Sequence, residues 1–193
     1  MPGSTIHLMF ARLLKPEGST AYFAGSVAYD AVADYHEKDK THFRKTDDRI
    51  HKIIEYVRTL PKSDWNDGII THLYLDWRWD ECELARFIEY HGEGWFKPYR
   101  ADISRVSHYF AHKLPWCHPL WRVIYDMPQS LYGKIPRATG DDVRDFLTLG
   151  YNSQLETRDY PKFYLPDQVE HFLQMTALEY PQFLDVVAHK ADI

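Results

Sequence analysis

The residues that invite chemistry begin with Thr71-His72-Leu73-Tyr74-Leu75-Asp76. His72 and Asp76 are four apart, which on a helix sets them on one face, a turn from each other. Ile69 and Leu73 form the apolar side of the same pattern, so Asp76 points toward a helix-packing layer. An ionised carboxylate there is costly unless something neutralises it. A metal ion shared with His72 would do so. The plain alternative is an ion pair from Asp76 to Arg78, Arg86 or a neighbouring helix, with His72 hydrogen-bonded in the core. Asp80 extends the ladder by another turn as an outer partner.

Three further residues join this pair. Asp30 follows a run of small residues, Ala24, Gly25, Ser26 and Ala28, that would let helices approach closely. His42 comes twelve positions later, after a charged segment that reads as a surface loop, where His36 competes with it. His7 lies on the first amphipathic stretch, beside Ile6. Taken singly, each has a plain reading as a solvated or helix-face side chain. Together they are three imidazoles and two carboxylates on separate helical segments, a donor set that suits Zn²⁺. Helix bundles build such sites from inward-pointing side chains of facing helices. No Cys-x-x-Cys pattern occurs, which excludes a thiolate zinc site.

The elements that must position these groups are helical. Ser4 or Thr5 can cap a first helix that Pro16 and Gly18 end, and Tyr22 to Val32 reads as a second, closely packed helix. Asp47 or Asp48 can cap a third, with Ile50, Ile53, Ile54 and Val57 on one face. The longest starts at Ser63 or Asp64 and runs toward Gly92, with Gly68 weakening its first turns. Later helices are expected over 102–114, 119–131, 140–150 and 166–190, Pro181 kinking or splitting the last. The segments 91–99 and 132–139 read as connections. Strand-type alternation is weak throughout. The expectation is an all-α, single-domain, multi-helix bundle over residues 1–193.

Composition narrows the functional classes. The chain is 45% hydrophobic and 26% charged with a net charge of −5, and no dense basic patch marks a dedicated nucleic-acid binding surface. Two cysteines, Cys82 and Cys117, make no disulfide framework and are expected to be reduced. No signal-peptide pattern and no apolar run of membrane-spanning length is visible, so a cytoplasmic location is expected.

The start MPGSTIHLMFA, the segments GSVAYDAV and DKTHFR, and the segment GIITHLYLDWRWD resemble, in that order, the zinc-dependent phospholipase C-like family, which is related to the single-strand-specific zinc nucleases. The resemblance covers about the first 80 residues. It implies a phospholipase C/zinc nuclease-like bundle in which Asp30, His42, His72 and Asp76 form the central metal set. It also implies that His7 joins a neighbouring metal and that Asp76 can bridge the two ions. The chain departs from the family pattern in two places. Ala28-Tyr29-Asp30 replaces the usual small residue–Pro–Asp, and no His-x-x-x-Asp/Glu pair follows Asp76. His91, Glu93, His108 and His112 are the nearby substitutes, so one or two zinc ions are expected rather than three. Loss of Met1 would leave the Pro2 amine five residues before His7 as a further donor.

The function this implies is hydrolysis of a small phosphoester by metal-activated water, with Asp30 orienting the water or taking its proton. Lys40, Arg44 or Arg78 would hold the remaining phosphate oxygens. Trp65, Trp77, Trp79 and Trp95 would line a cleft or fill the core. The alternative is a metal-binding or scaffold protein of the same fold that has lost catalysis, which the missing downstream pair favours. A phosphohydrolase built on a His-Asp dipeptide is excluded, because no His is followed by Asp.

Overall fold

Hydroxyl and carboxylate caps, placed just before apolar-periodic runs, divide this chain into helices. The computed structural model describes residues 2–156 and 158–189. Over these it forms ten α-helices: α1 (Ser4–Leu14), α2 (Thr20–Ala28), α3 (Tyr35–Thr41), α4 (Arg49–Thr59), α5 (Asp64–Trp79), α6 (Ala85–His91), α7 (Phe96–Lys113), α8 (Cys117–Tyr125), α9 (Gly140–Ser153) and α10 (Pro166–Ala188). Among the described residues there is no strand, only one isolated bridge between Ile135 and Ala138. The all-α expectation holds at this level. Side chains from Ile6 on α1, Ile53 on α4, Trp79 on α5, Trp121 on α8 and Leu173 on α10 join one apolar core. No described helix is long and apolar enough to cross a membrane.

Several boundaries differ from the sequence reading. The charged segment between Asp30 and His42 is not a loop. It contains α3, whose N-cap Asp34 accepts from the Glu37 N–H. The small-residue helix stops at Ala28 and passes into a 3₁₀ turn over Tyr29–Ala31. Helix α7 begins at Phe96, inside the segment read as a connection, and α8 ends at Tyr125, short of 131. Pro181 is carried inside α10 without splitting it, and residue 190 lies outside the described residues. The long helix reaches Gly92 as expected, but a π-helical turn over Asp80–Leu84 interrupts it.

The pairing of α2 with α5 positions the site. Gly25 and Gly68 face across it. A Cβ on Gly25 would lie 2.1 Å from the Trp65 carbonyl oxygen, and one on Gly68 would lie 2.2 Å from that of Tyr22. Real side chains cannot tolerate such contacts, so Gly68 gives up helix propensity in return for backbone contact. This close approach brings the end of α2, with Asp30 just past it, against the middle of α5, where His72 and Asp76 sit.

Candidate metal centre

His72 and Asp76 share one face of α5 and both are fully buried. Asp30 arrives from the 3₁₀ turn after α2. His42, the residue closing α3, is also fully buried. These four residues form a group that could hold a metal ion, each offering one donor atom within 4.8 Å of the others.

The distances can be tested against a real ion. Tetrahedral Zn²⁺ with bonds of roughly 2.0–2.2 Å requires donor–donor edges of about 3.3–3.6 Å. The His42 Nε2–Asp30 Oδ1 edge is 3.3 Å and the His42 Nε2–Asp76 Oδ2 edge 3.6 Å. His72 Nε2 lies 3.7 Å from both Asp30 Oδ1 and Asp76 Oδ2, and the two Nε2 atoms are 3.1 Å apart. These five edges, 3.1 to 3.7 Å, lie close to that range.

Outer hydrogen bonds fix which ring nitrogens face inward. His72 Nδ1–H donates to the Ser26 carbonyl at 2.9 Å, and His42 Nδ1–H to the Lys38 carbonyl at 2.9 Å. Both Nε2 atoms are then left as acceptors pointing at one another, an arrangement that repels unless a cation lies between them. A single proton would relieve only the two rings. A divalent cation would satisfy both rings and both carboxylates at once, in place of the Lys38 and Arg44 charges that now oppose the carboxylates.

The electrostatics agree. Burial, and then the His7 ring beside it, push His72 down to about 3, so its ring is neutral at pH 7. Burial opposes ionisation of Asp30, but the Lys38 ammonium outweighs it and holds the carboxyl well below its usual range. Asp76 is likewise held low, against burial, by His72, His7 and Arg44. The consequence for stability follows by linkage. Between the ordinary histidine value of 6.5 and about 3, the unfolded chain binds a proton at His72 that the folded chain does not. The urea midpoint of the metal-free protein is therefore expected to fall as pH is lowered from 7 to 5. A flat profile would mean that His72 is not buried as a neutral ring.

Around the four donors sits a ring of cations. Lys38 Nζ lies 2.7 Å from Asp30 Oδ1, and Arg44 Nη2 lies 3.3 Å from Asp76 Oδ2. Asp80 is not a donor to the group. It accepts from Arg44 Nε at 3.0 Å and from Arg49 Nη1 at 2.8 Å, while Arg49 Nε also donates to the His42 carbonyl. Asp80 thus steers the guanidinium that touches Asp76, the outer role expected of it. His7 is outside the four-residue group but against it. Its ring stacks on His72, with centroids 3.9 Å apart and planes 5° from parallel. Its Nε2 lies 3.3 Å from Asp76 Oδ1, without hydrogen-bond geometry, and both His7 nitrogens are buried without a hydrogen-bond partner. Asp76 therefore turns one oxygen to the four-residue centre and the other to His7.

The chain matches no protein-family model, no curated protein and no solved structure.

The other residues singled out by sequence fall elsewhere. His108 donates through Nδ1 to the Ser104 carbonyl, His112 bonds the Glu156 carbonyl, and exposed His91 stacks on Phe87; none is part of the group. Glu93 and His36 are exposed and also outside it. Met1, on which the Pro2 amine reading depends, lies outside the described residues. Lys40 pairs with Glu37 and Arg78 with Glu179, so of the three expected phosphate holders only Arg44 stands at the site. Trp65 and Trp79 are core, whereas Trp77 and Trp95 line a neighbouring cleft that Lys38 and Arg44 also line. Lys38 was missed. Its signal was its place four residues before His42, legible only once the segment is read as a helix.

Proposed function

We propose that this chain is a zinc-dependent hydrolase of small phosphoesters. The observation that carries the reading is the position of the His₂Asp₂ cage beside a cleft of about 810 Å³ lined by Lys38, Arg44, Arg49 and Arg100 together with Asp47, Asp48, Asp80 and Glu81. Of these carboxylates, Asp80 is paired with Arg44 and Arg49. Zinc suits the donor set, and a bound ion supplies Lewis acidity at the phosphoryl oxygen and a water acidic enough to be hydroxide near neutral pH.

The protein's own groups then have defined tasks. Asp30 is the most exposed of the four donors, with 9% of its side chain accessible against none for the others. Asp30, kept ionised, would accept the hydrogen bond of a water entering from that side and orient it rather than store its proton. Without metal, Lys38 and Arg44 balance Asp30 and Asp76. A divalent cation takes over that neutralisation and leaves both side chains able to bind phosphoryl oxygens, Arg44 through its planar fork. Asp80 holds that fork in place. A second zinc ion would use Asp76 Oδ1 and His7 Nε2, which otherwise leaves two buried nitrogens without hydrogen bonds.

The test is elemental analysis of the purified protein, followed by turnover of aryl phosphate monoesters and diesters with added Zn²⁺. One or two zinc ions per chain and metal-dependent turnover are expected. Lys38→Gln should keep the zinc and raise KM about tenfold or more, as loss of one charge-assisted contact to phosphate would. A chain that neither copurifies with metal nor binds it on titration ends the proposal.

A second reading rests on a specific feature: four protein donors already fill a tetrahedral shell, the mark of structural zinc sites. A metal-stabilised scaffold would bind zinc tightly and turn over no ester on the same panel.

A further inference from the structure

We propose that the N-terminus of α1 is a binding site for a tetrahedral oxyanion, a phosphate or a phosphate group, seated between α1 and α7. The site is separate from the metal cage and does not depend on its assignment. It is a cavity of about 230 Å³ that Ser4, Thr5, Arg100, Ser104 and Ser107 line.

Three observations converge there. First, α1 has Gly3 as its N-cap, which supplies no side-chain acceptor. The Ile6 and His7 N–H groups donate to the Gly3 carbonyl at 2.9 and 3.2 Å, leaving those of Ser4 and Thr5 as the uncapped donors at the positive end of the helix dipole. Such an end attracts anions through its amides and its dipole together. Second, Ser107 on α7 is only 8% exposed, and its Oγ is buried without a hydrogen-bond partner. It lies directly over the start of α1: a Cβ on Gly3 would come within 2.1 Å of this oxygen. A buried hydroxyl donor left unpaired costs free energy unless a ligand completes it. Third, Arg100 lines the same cavity, is exposed, and makes no ion pair with a described carboxylate.

The cavity therefore offers two backbone amides, hydroxyls from two helices and one guanidinium, the mixture that recognises phosphate oxygens. His108 lines it as well, with its Nδ1–H committed to the Ser104 carbonyl. Glu156 reaches His108 Nε2 at 3.9 Å but does not line the cavity. Arg100 also lines the cleft beside the metal cage, so the two sites share one guanidinium. His7 sits one turn along α1 from the anion position.

The test uses the whole chain, with and without added Zn²⁺, ¹⁵N-labelled and titrated with inorganic phosphate. Saturable shifts are expected at the Ser4, Thr5 and Ser107 amides. Ser107→Ala should weaken that response several-fold and Arg100→Gln about tenfold, in line with losing a neutral and a charge-assisted hydrogen bond. Lys38→Gln, which alters only the metal cleft, should leave it unchanged. Glycerol phosphate distinguishes the source. Tighter binding than inorganic phosphate assigns the site to the phosphate group of a larger ligand, and equal or weaker binding assigns it to the free ion. Shifts confined to Lys38 and Arg44 and indifferent to Ser107→Ala would place phosphate in the metal cleft alone and overturn the proposal. So would the absence of any shift at Ser4 and Thr5 at millimolar phosphate.

Discussion

Asp76→Ala is expected to abolish metal binding and to lower stability by about 3–5 kcal/mol, the range for removing one partner from a buried charged set. Asp76 is fully buried and touches both histidines of the centre through Oδ2, Arg44 through the same oxygen, and His7 through Oδ1. Its loss leaves the two Nε2 atoms 3.1 Å apart with one carboxylate instead of two. Asp80→Ala makes the informative contrast. It takes a partner from Arg44 and Arg49, but Arg44 keeps Asp76 and Arg49 keeps the His42 carbonyl. That variant should retain its metal and lose about 1–3 kcal/mol. Elemental analysis and urea midpoints for the two proteins decide the matter. Equal metal loss from both would place the centre one turn further along α5 than the geometry has it.

The legibility of this site was uneven for identifiable reasons. His72 and Asp76 could be paired because i,i+4 spacing on an amphipathic run has one geometric outcome. The small residues before Asp30 announced a close helix contact, which Gly25 and Gly68 make. His42 was harder, since nothing local distinguishes it from His36. What separates them is the short helix α3, whose seven residues, Tyr35–Thr41, are almost all polar and carry no apolar stripe to read. The same misreading hid Lys38, which supplies both a carbonyl to His42 and an ammonium to Asp30. Sequence proximity favours Arg78 or Arg86 as the partner of Asp76, whereas the arginine that pairs with Asp76 is Arg44, 32 residues away. Tertiary pairing of that kind leaves no periodic trace. The π-helical turn after Trp79 has no residue signature either. The five-residue turn, Asp80–Leu84, resets the helix face one turn after Asp76. Such turns recur at functional positions.

The second large effect joins fold to site through a residue that touches no ligand. Gly25→Ala is expected to destabilise the chain by about 1–3 kcal/mol, the usual cost of overpacking, and to weaken zinc binding at the same time. The added methyl would stand 2.1 Å from the Trp65 carbonyl oxygen, so α2 and α5 must move apart or the substitution cannot be housed. Ser26, the next residue, accepts the His72 Nδ1–H, and Asp30 follows a turn later. Separating the helices therefore strains the bond that fixes the His72 tautomer and lengthens the 3.7 Å edge between His72 and Asp30. Because a metal shell tolerates only a few tenths of an ångström, affinity should fall by about tenfold or more, as it does when outer partners of a ligand are lost. Competition against a chromophoric chelator measures that, and the urea midpoint measures the packing cost. Stability lost with zinc affinity unchanged would mean that the centre is held by α5 and α3 alone and that the α2–α5 contact serves only the core.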